Sequence, residues 1–278
     1  MVSIILTSYN AEGFIARTLE SVLAQTYADI EVIVVNDCST DNTEQVVKDI
    51  ASRDSRVRYY CNEVNVGAGL SRRRAISEMR GEYMTFLDHD DLLKPDAIET
   101  LVREIESNDV DVISQGIIIT DEGGNILEER IPKREILESF NKFKKREVDT
   151  MRFMNPMLIK ASLWEKVQYS HRRFIEDTQT LVQILWYAKK VMTIPYAGYY
   201  YVQKDNSLCH TTRGIKYAIA KALCIKDIML FFKDKVKEYS EPTEFLMQCE
   251  MIFTTITEED AQTYRADLEE LAQCIKSL

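Results

Sequence analysis

Two hydrophobic periods alternate through the first 120 residues, and this alternation restricts the fold more than any other feature of the chain. Val2 to Thr7 is short, apolar and β-branched, the pattern of a buried strand. Behind it Ile15, Leu19 and Val22 recur at spacings of four and three, which lines up one helix face. Ile30 to Val35 forms a second strand pattern, and Asp41 with Glu44 three residues on marks a helix start. Val57 to Cys61 and Tyr83 to Leu87 supply two more strands. Between them Leu70 to Arg80 reads as a helix halted by Gly81. Pro95 opens a further helix with Ile98, Leu101, Val102 and Ile105 on one side. Strand–helix repetition of this kind specifies a mostly parallel sheet with helices on both faces, a Rossmann-like α/β architecture. In such sheets ligands sit beyond the carboxyl ends of the strands. That rule directs attention to Ser8 to Asn10, Asn36 to Ser39, Asn62 to Gly69 and Asp88 to Asp91.

Past residue 109 the pattern changes. Val112 to Thr120 and Asn125 to Glu129 flank D-E-G-G, a hairpin signal. Ile136 to Arg146 has the composition of a polar surface helix, and Asn155 to Lys160 that of a short strand. Phe174 to Lys190 reads as strand end, loop and helix, followed by a tyrosine-rich strand over Met192 to Val202. From Gly214 onward the chain is helical. Pro242 and the capping signal of Thr257 to Asp260 divide it into about three helices.

The balance of charge excludes some partners. The formal net charge of −10 argues against a protein whose main ligand is a nucleic-acid backbone. The six cysteines contain no C-x-x-C pair, so a zinc cluster is not expected and reduced, cytosolic thiols are. The N-terminus opens into V-S-I-I-L with no basic flank or cleavage-type segment, and no apolar run approaches the ~20 residues of a membrane span. The expectation is a cytoplasmic protein.

The chemistry concentrates in Phe86-Leu87-Asp88-His89-Asp90-Asp91 at the end of the fourth strand. In an extended backbone residues i and i+2 point the same way, so Asp88 and Asp90 are expected to present carboxylates to one point. Two carboxylates suit Mg²⁺ or Mn²⁺, hard cations that bridge to phosphate oxygens. The competing use is capping of the helix at Pro95, for which one acid suffices. The run Arg72-Arg73-Arg74 offers a local positive field to an anionic ligand within an acidic chain.

V-S-I-I-L-T-S-Y-N, V-N-D-C-S-T-D-N-T, N-V-G-A-G-L-S-R-R, F-L-D-H-D-D and F-I-E-D-T-Q-T resemble, in order and spacing, the motifs of the family 2 glycosyltransferases of the GT-A fold. The resemblance covers roughly residues 1 to 210. It implies a nucleotide-binding half over 1–108, an acceptor-binding half over 109–210 and a helical C-terminal extension over 211–278. It also implies an inverting transfer from a nucleotide-diphosphate donor to an acceptor hydroxyl. Thr7 and Tyr9 would contact the nucleobase, with Tyr9 stacking beneath it. Asp37 would accept the N3–H of uracil, favouring a UDP-sugar, while its other use is as a turn former. Arg72 would face the donor phosphates or ribose. The family usually has Asn where Arg73 stands and Gly where Ala75 stands. Asp88 and Asp90 would flank metal and ribose, with Asp91 either assisting or only capping. Asp177 would be the general base, with Glu176 its substitute, against the competing role of a helix N-cap. His210, in a segment that family members use as a flap, is a further candidate metal ligand. The acceptor implied is a glycan or a lipid-linked glycan of bacterial surface polysaccharide synthesis, at the inner face of a membrane. The C-terminal helices have three destinations: the catalytic core, a membrane surface, or a second copy in a homodimer.

Other classes fare worse. A dinucleotide enzyme needs a Gly-rich turn after the first strand, where S-Y-N-A-E-G stands, and no G-x-x-x-x-G-K-[ST] loop exists. A sugar nucleotidyltransferase would carry a basic glycine-rich loop there. A binding module that had lost turnover would not need Asp88, Asp90 and Asp177 together.

Overall fold

The computed structural model describes residues 1–138, 154–172, 175–204, 214–235 and 242–278. Its centre is a ten-stranded sheet in the order β3-β2-β1-β4-β9-β6-β10-β5, with β7 added to β6 and β8 to β10. The strands are β1 (Val2–Ser8), β2 (Ile30–Asn36), β3 (Val57–Cys61), β4 (Tyr83–Asp88) and β5 (Leu92–Leu93). They continue with β6 (Val112–Thr120), β7 (Ile126–Arg130), β8 (Glu135–Glu138), β9 (Met157–Lys160) and β10 (Lys190–Val202). β1 pairs in parallel with β2 and β4, β2 with β3, and β6 with β10. β9 is antiparallel to both β4 and β6, so those two strands point the same way.

Alternation along the strands explains the layers. Val2, Ile4 and Leu6 of β1 and Ile30, Val32 and Val34 of β2 share one apolar cluster with three helices. Those helices are α1 (Ile15–Leu23), α2 (Thr43–Ala51) and α4 (Ala97–Asn108). The helix α3 (Ala68–Glu78) packs across β1 and β2. The Asp41 carboxylate accepts from the Thr43 amide at 3.0 Å and starts α2 where its sequence signal stands.

Two expectations are corrected. Gly81 does not stop α3 by a left-handed turn. The helix ends at Glu78, and Gly81 is needed because a Cβ there would lie 2.6 Å from the Ser3 amide nitrogen. Ile136 is not helical: β8 pairs antiparallel with β10, matching Ile136 to Met192 and Leu137 to Val191. Leu137 is buried and Ile136 exposed, a strand alternation that is too short for periodicity to separate from a helix. The remainder of that expected helix, residues 139–146, lies outside the described residues.

At the N-terminal end of the strands Glu31 holds three segments. Its carboxylate accepts from Ser3 Oγ at 2.6 Å, the Arg80 amide at 2.6 Å and Arg58 Nη1 at 2.7 Å. The order β3-β2-β1 and the entry to β4 are thereby pinned at one carboxylate.

The chain divides into two compact units, one of residues 1–173 with 180–204, the other of 174–179 with 205–278. The helix α5 (Glu176–Tyr187) runs from the second into the first. In the second unit α6 (Ile215–Phe232), α7 (Thr243–Thr255), α8 (Glu258–Thr263) and α9 (Arg265–Ser277) follow in sequence. Ile219, Leu223, Phe245, Ile252 and Leu271 form its core. Thr257 caps α8 by accepting from the Asp260 amide at 3.1 Å, as its sequence indicates. Lys226, buried on α6, pairs with Glu270 and with Asp227. Among the described residues no helix is long and apolar enough to cross a membrane, and all five described cysteines are free.

Candidate active site

The register of β1 with β2 and β4 sets Thr7 beside Val35 and Asp88, and Ser8 beside Asn36. The carboxyl ends of three strands therefore finish level, and Thr7, Asn36 and Asp88 are delivered to one rim, with Asp37 directly after it. Thr7 and Ser8 are buried, whereas Tyr9 is 45% exposed and free to offer its ring face. Asn10, with φ of +49°, turns the chain back toward the loop after β2. Its side-chain carbonyl accepts from the Thr40 amide at 2.8 Å, and its own amide donates to Ser39 Oγ at 2.9 Å.

Asp37 is 4% exposed, so a carboxylate there requires donors. It finds them in the loop before α3: Asn62 Nδ2 at 2.8 Å, the Val66 amide at 2.9 Å and the Gly67 amide at 2.7 Å. Gly67 takes φ of +90°, a conformation that costs glycine little. Asp37 thus fixes the loop that leads to Arg72, a task that turn-forming tendency alone does not reveal. A carboxylate has about four acceptor directions, so capacity for an imide N–H remains.

Arg72 lies between the ring of Phe86 and two partners, donating to Asp88 Oδ1 at 2.7 Å and to the Tyr169 hydroxyl at 3.1 Å. Arg73 is exposed, and Arg74 donates back to the Cys61 carbonyl and to Asn62 Oδ1, both at 2.7 Å. Of the three consecutive arginines, Arg72 alone reaches the acidic turn.

That turn departs from the expected extended geometry. β4 ends at Asp88, and the Asp91 amide donates to the Asp88 carbonyl at 3.1 Å, closing a tight turn over His89 and Asp90. The three acids consequently have three environments. Asp88 receives Arg72 on one oxygen and Asn155 Nδ2, at 2.7 Å, on the other. Asp90 forms an ion pair with Lys204 at 2.8 Å. Asp91 is buried, accepting from the Tyr199 hydroxyl at 2.5 Å and from the Val202 amide at 2.9 Å. Burial pushes its carboxyl well above the usual carboxylate range, and the neighbouring Asp88 and Asp90 push it further, against the two donors. Asp91 therefore tethers the turn to β10 instead of capping α4. His89 folds back on β1, with Nδ1 3.3 Å from the Thr7 carbonyl oxygen.

Asn155, Tyr169 and Lys204 are the residues that sequence patterns did not single out. Tyr199, in the tyrosine-rich strand, is buried and also orders the acids, since Asn155 Nδ2 donates to its hydroxyl at 3.1 Å. Trp164 stacks on Tyr169 and meets Phe86 edge-on, extending the aromatic wall behind Arg72.

In the other unit Glu176 and Asp177 open α5. Asp177 Oδ1 accepts from the Thr178 amide at 2.8 Å, and Glu176 is 9% exposed. Ile175, just before them, takes φ of +57°, a strained position for a β-branched residue. His210 lies outside the described residues.

Asp88 and Asp90 supply hard oxygen donors, the set that Mg²⁺ and Mn²⁺ accept when phosphate oxygens and water complete the shell. Among the described residues no group of three or more His, Cys, Asp or Glu side chains gathers into a closed metal cage. The donor set fits a cation that a diphosphate would help to hold.

Residues 3–167 match the model of glycosyl transferase family 2, and the chain belongs to that family. It is 28% identical to the glycosyltransferase GlyG of Streptococcus pneumoniae over 86% of this chain and 80% of GlyG. It is 30% identical to the uncharacterized glycosyltransferase MJ1057 of Methanocaldococcus jannaschii over 62% of this chain, and spans 60% of that relative's length. The structure of S. aureus TarS 1-349 in complex with UDP-GlcNAc superposes with a TM-score of 0.72 at 19% identity, covering 98% of this chain and 81% of that one. The fold is GT-A, and the chain is a glycosyltransferase.

Proposed function

We propose that this glycosyltransferase moves a sugar from a UDP-sugar to an acceptor hydroxyl with inversion, using Mn²⁺ or Mg²⁺ at Asp88 and Asp90. The observation that carries the proposal is the convergence of Thr7, Asp37, Arg72, Asp88 and Asp90 on one rim of the sheet. In this account Tyr9 stacks on the base, Asp37 accepts the uracil N3–H, and Arg72 meets the phosphates or ribose. A cation bound there would neutralise charge developing on the UDP leaving group. Asp177 takes the proton of the attacking hydroxyl, a role worth about 10²- to 10⁴-fold in rate. Glu176 stands in reserve for it.

The TarS complex contains UDP-GlcNAc, which makes that compound the first donor to test here. The acceptor class we propose is a glycan or lipid-linked glycan, met at the inner face of a membrane. The relative TuaG of Bacillus subtilis, 40% identical over 36% of this chain, is described as a putative teichuronic acid biosynthesis glycosyltransferase. The experiment is a panel of nucleotide sugars incubated with protein and Mn²⁺, with release of nucleotide followed. Metal-dependent release of UDP supports the proposal. UDP stabilisation without turnover on any acceptor supports a binding module instead.

A further inference from the structure

The ammonium of Lys204 occupies a seat with two walls. It lies 2.8 Å from Asp90 Oδ2 on one side and 3.3 Å from the centre of the Phe14 ring on the other. A carboxylate and an aromatic face both attract a cation, and together they hold a flexible lysine in one place. The residue follows directly on the last strand pairing, since Gln203 donates its amide to the Thr120 carbonyl at 2.7 Å. Phe14 also carries the guanidinium of Arg17, 5.6 Å from its ring centre. Arg17 Nη2 donates to the Asp90 carbonyl at 3.4 Å, and its Nε is buried without a partner among the described residues. Positive charge is thus gathered around Asp90, with Lys204 on its carboxylate and Arg17 on its carbonyl.

Of the two proposed cation ligands, Asp88 is paired with Arg72, a residue also proposed to meet the donor, and Asp90 is paired with Lys204. We infer that Lys204 is a built-in counter-ion of Asp90 that suppresses divalent-cation binding until a donor diphosphate draws the ammonium away. The inference rests on the proposal that Asp90 is a metal ligand. Phosphate oxygens are strong acceptors for an ammonium, so an arriving diphosphate offers Lys204 an alternative partner while releasing the carboxylate. Metal and donor then bind as one event, and the donor-free protein holds little metal.

The test is a titration of Mn²⁺ into nucleotide-free protein, read by loss of the free-ion paramagnetic resonance signal. Lys204→Gln is expected to bind Mn²⁺ about tenfold more tightly than the intact protein, a size typical of coupling between two sites. Lys204→Arg is expected to keep the suppression, and Phe14→Leu, which alters no charge, to relieve it in part. Saturating UDP is expected to raise the intact protein's Mn²⁺ affinity to that of Lys204→Gln. Adding Asp90→Asn to Lys204→Gln is expected to abolish the gain. Equal Mn²⁺ affinity with and without Lys204, while Asp90→Asn weakens both, overturns the inference and leaves Asp90 as a ligand. Mn²⁺ binding indifferent to Asp90→Asn in every background removes the metal proposal itself.

Discussion

The Tyr199 hydroxyl donates to the buried carboxylate of Asp91 at 2.5 Å, and this contact ties the acidic turn to a strand more than a hundred residues away in the chain. Tyr199 also receives Asn155, whose amide reaches Asp88. A single hydroxyl thereby connects two of the three acids. Tyr199→Phe leaves Asp91 Oδ2 buried without this donor, which costs about 1–3 kcal/mol. Urea unfolding measures it, and a loss below about 0.5 kcal/mol would show that the contact is incidental.

Glu31 contributes to the acid sensitivity of the first unit. Burial raises its pKa, but donors from Ser3, Arg80 and Arg58 outweigh burial, and the net shift is downward. A carboxylate whose folded pKa lies below its unfolded value adds stability at higher pH and loses it as pH falls through the folded value. Glu31→Gln is expected to reduce stability at neutral pH by at least about 1.5 kcal/mol. Its stability should also fall less steeply below the ordinary glutamate pKa. Thermal melts across an acid series check both, and parallel curves for the two proteins would contradict the role.

Arg72 depends on its planar fork, since one nitrogen serves Asp88 and the other Tyr169. Lysine keeps the charge and loses the fork. Arg72→Lys is expected to weaken UDP binding about tenfold or more by calorimetry. Unchanged affinity would place the donor phosphates elsewhere.

The proposed general base, Asp177, is expected to separate binding from turnover. Asp177→Asn is expected to keep UDP affinity and lower turnover at least about 100-fold, the effect of losing a general base. Near-normal turnover would move the base to another residue, Glu176 first.

Much of this fold is legible in the sequence because its first half is built from local signals. β1, β2 and β4 are short, mostly apolar runs, interrupted by Ser3, Glu31 and Thr85. The helices α1, α2 and α4 carry recurring apolar faces, so length and period together separate strand from helix. Asp37 and Asp88 stand where those strands end, whereas Arg72, inside α3, is singled out by the family resemblance. The rest depends on partners remote in sequence. Asp91 reads as one more acid in a cluster, and only the approach of β10 shows that it is buried. Lys204 is one lysine among many until the fold sets it against Asp90 and Phe14. The four residues of β8, Ile136 among them, hold too little periodicity to separate strand from helix, and pairing with β10 decides the matter.

The central claim is that Asp90 holds a cation which in turn holds the donor. Calorimetry of UDP binding with and without Mn²⁺, for the intact protein and for Asp90→Asn, tests it most directly. The account predicts that Mn²⁺ tightens UDP binding to the intact protein and that Asp90→Asn removes this gain while leaving metal-free binding nearly unchanged. Equal loss of UDP affinity with and without Mn²⁺ in that variant would contradict it.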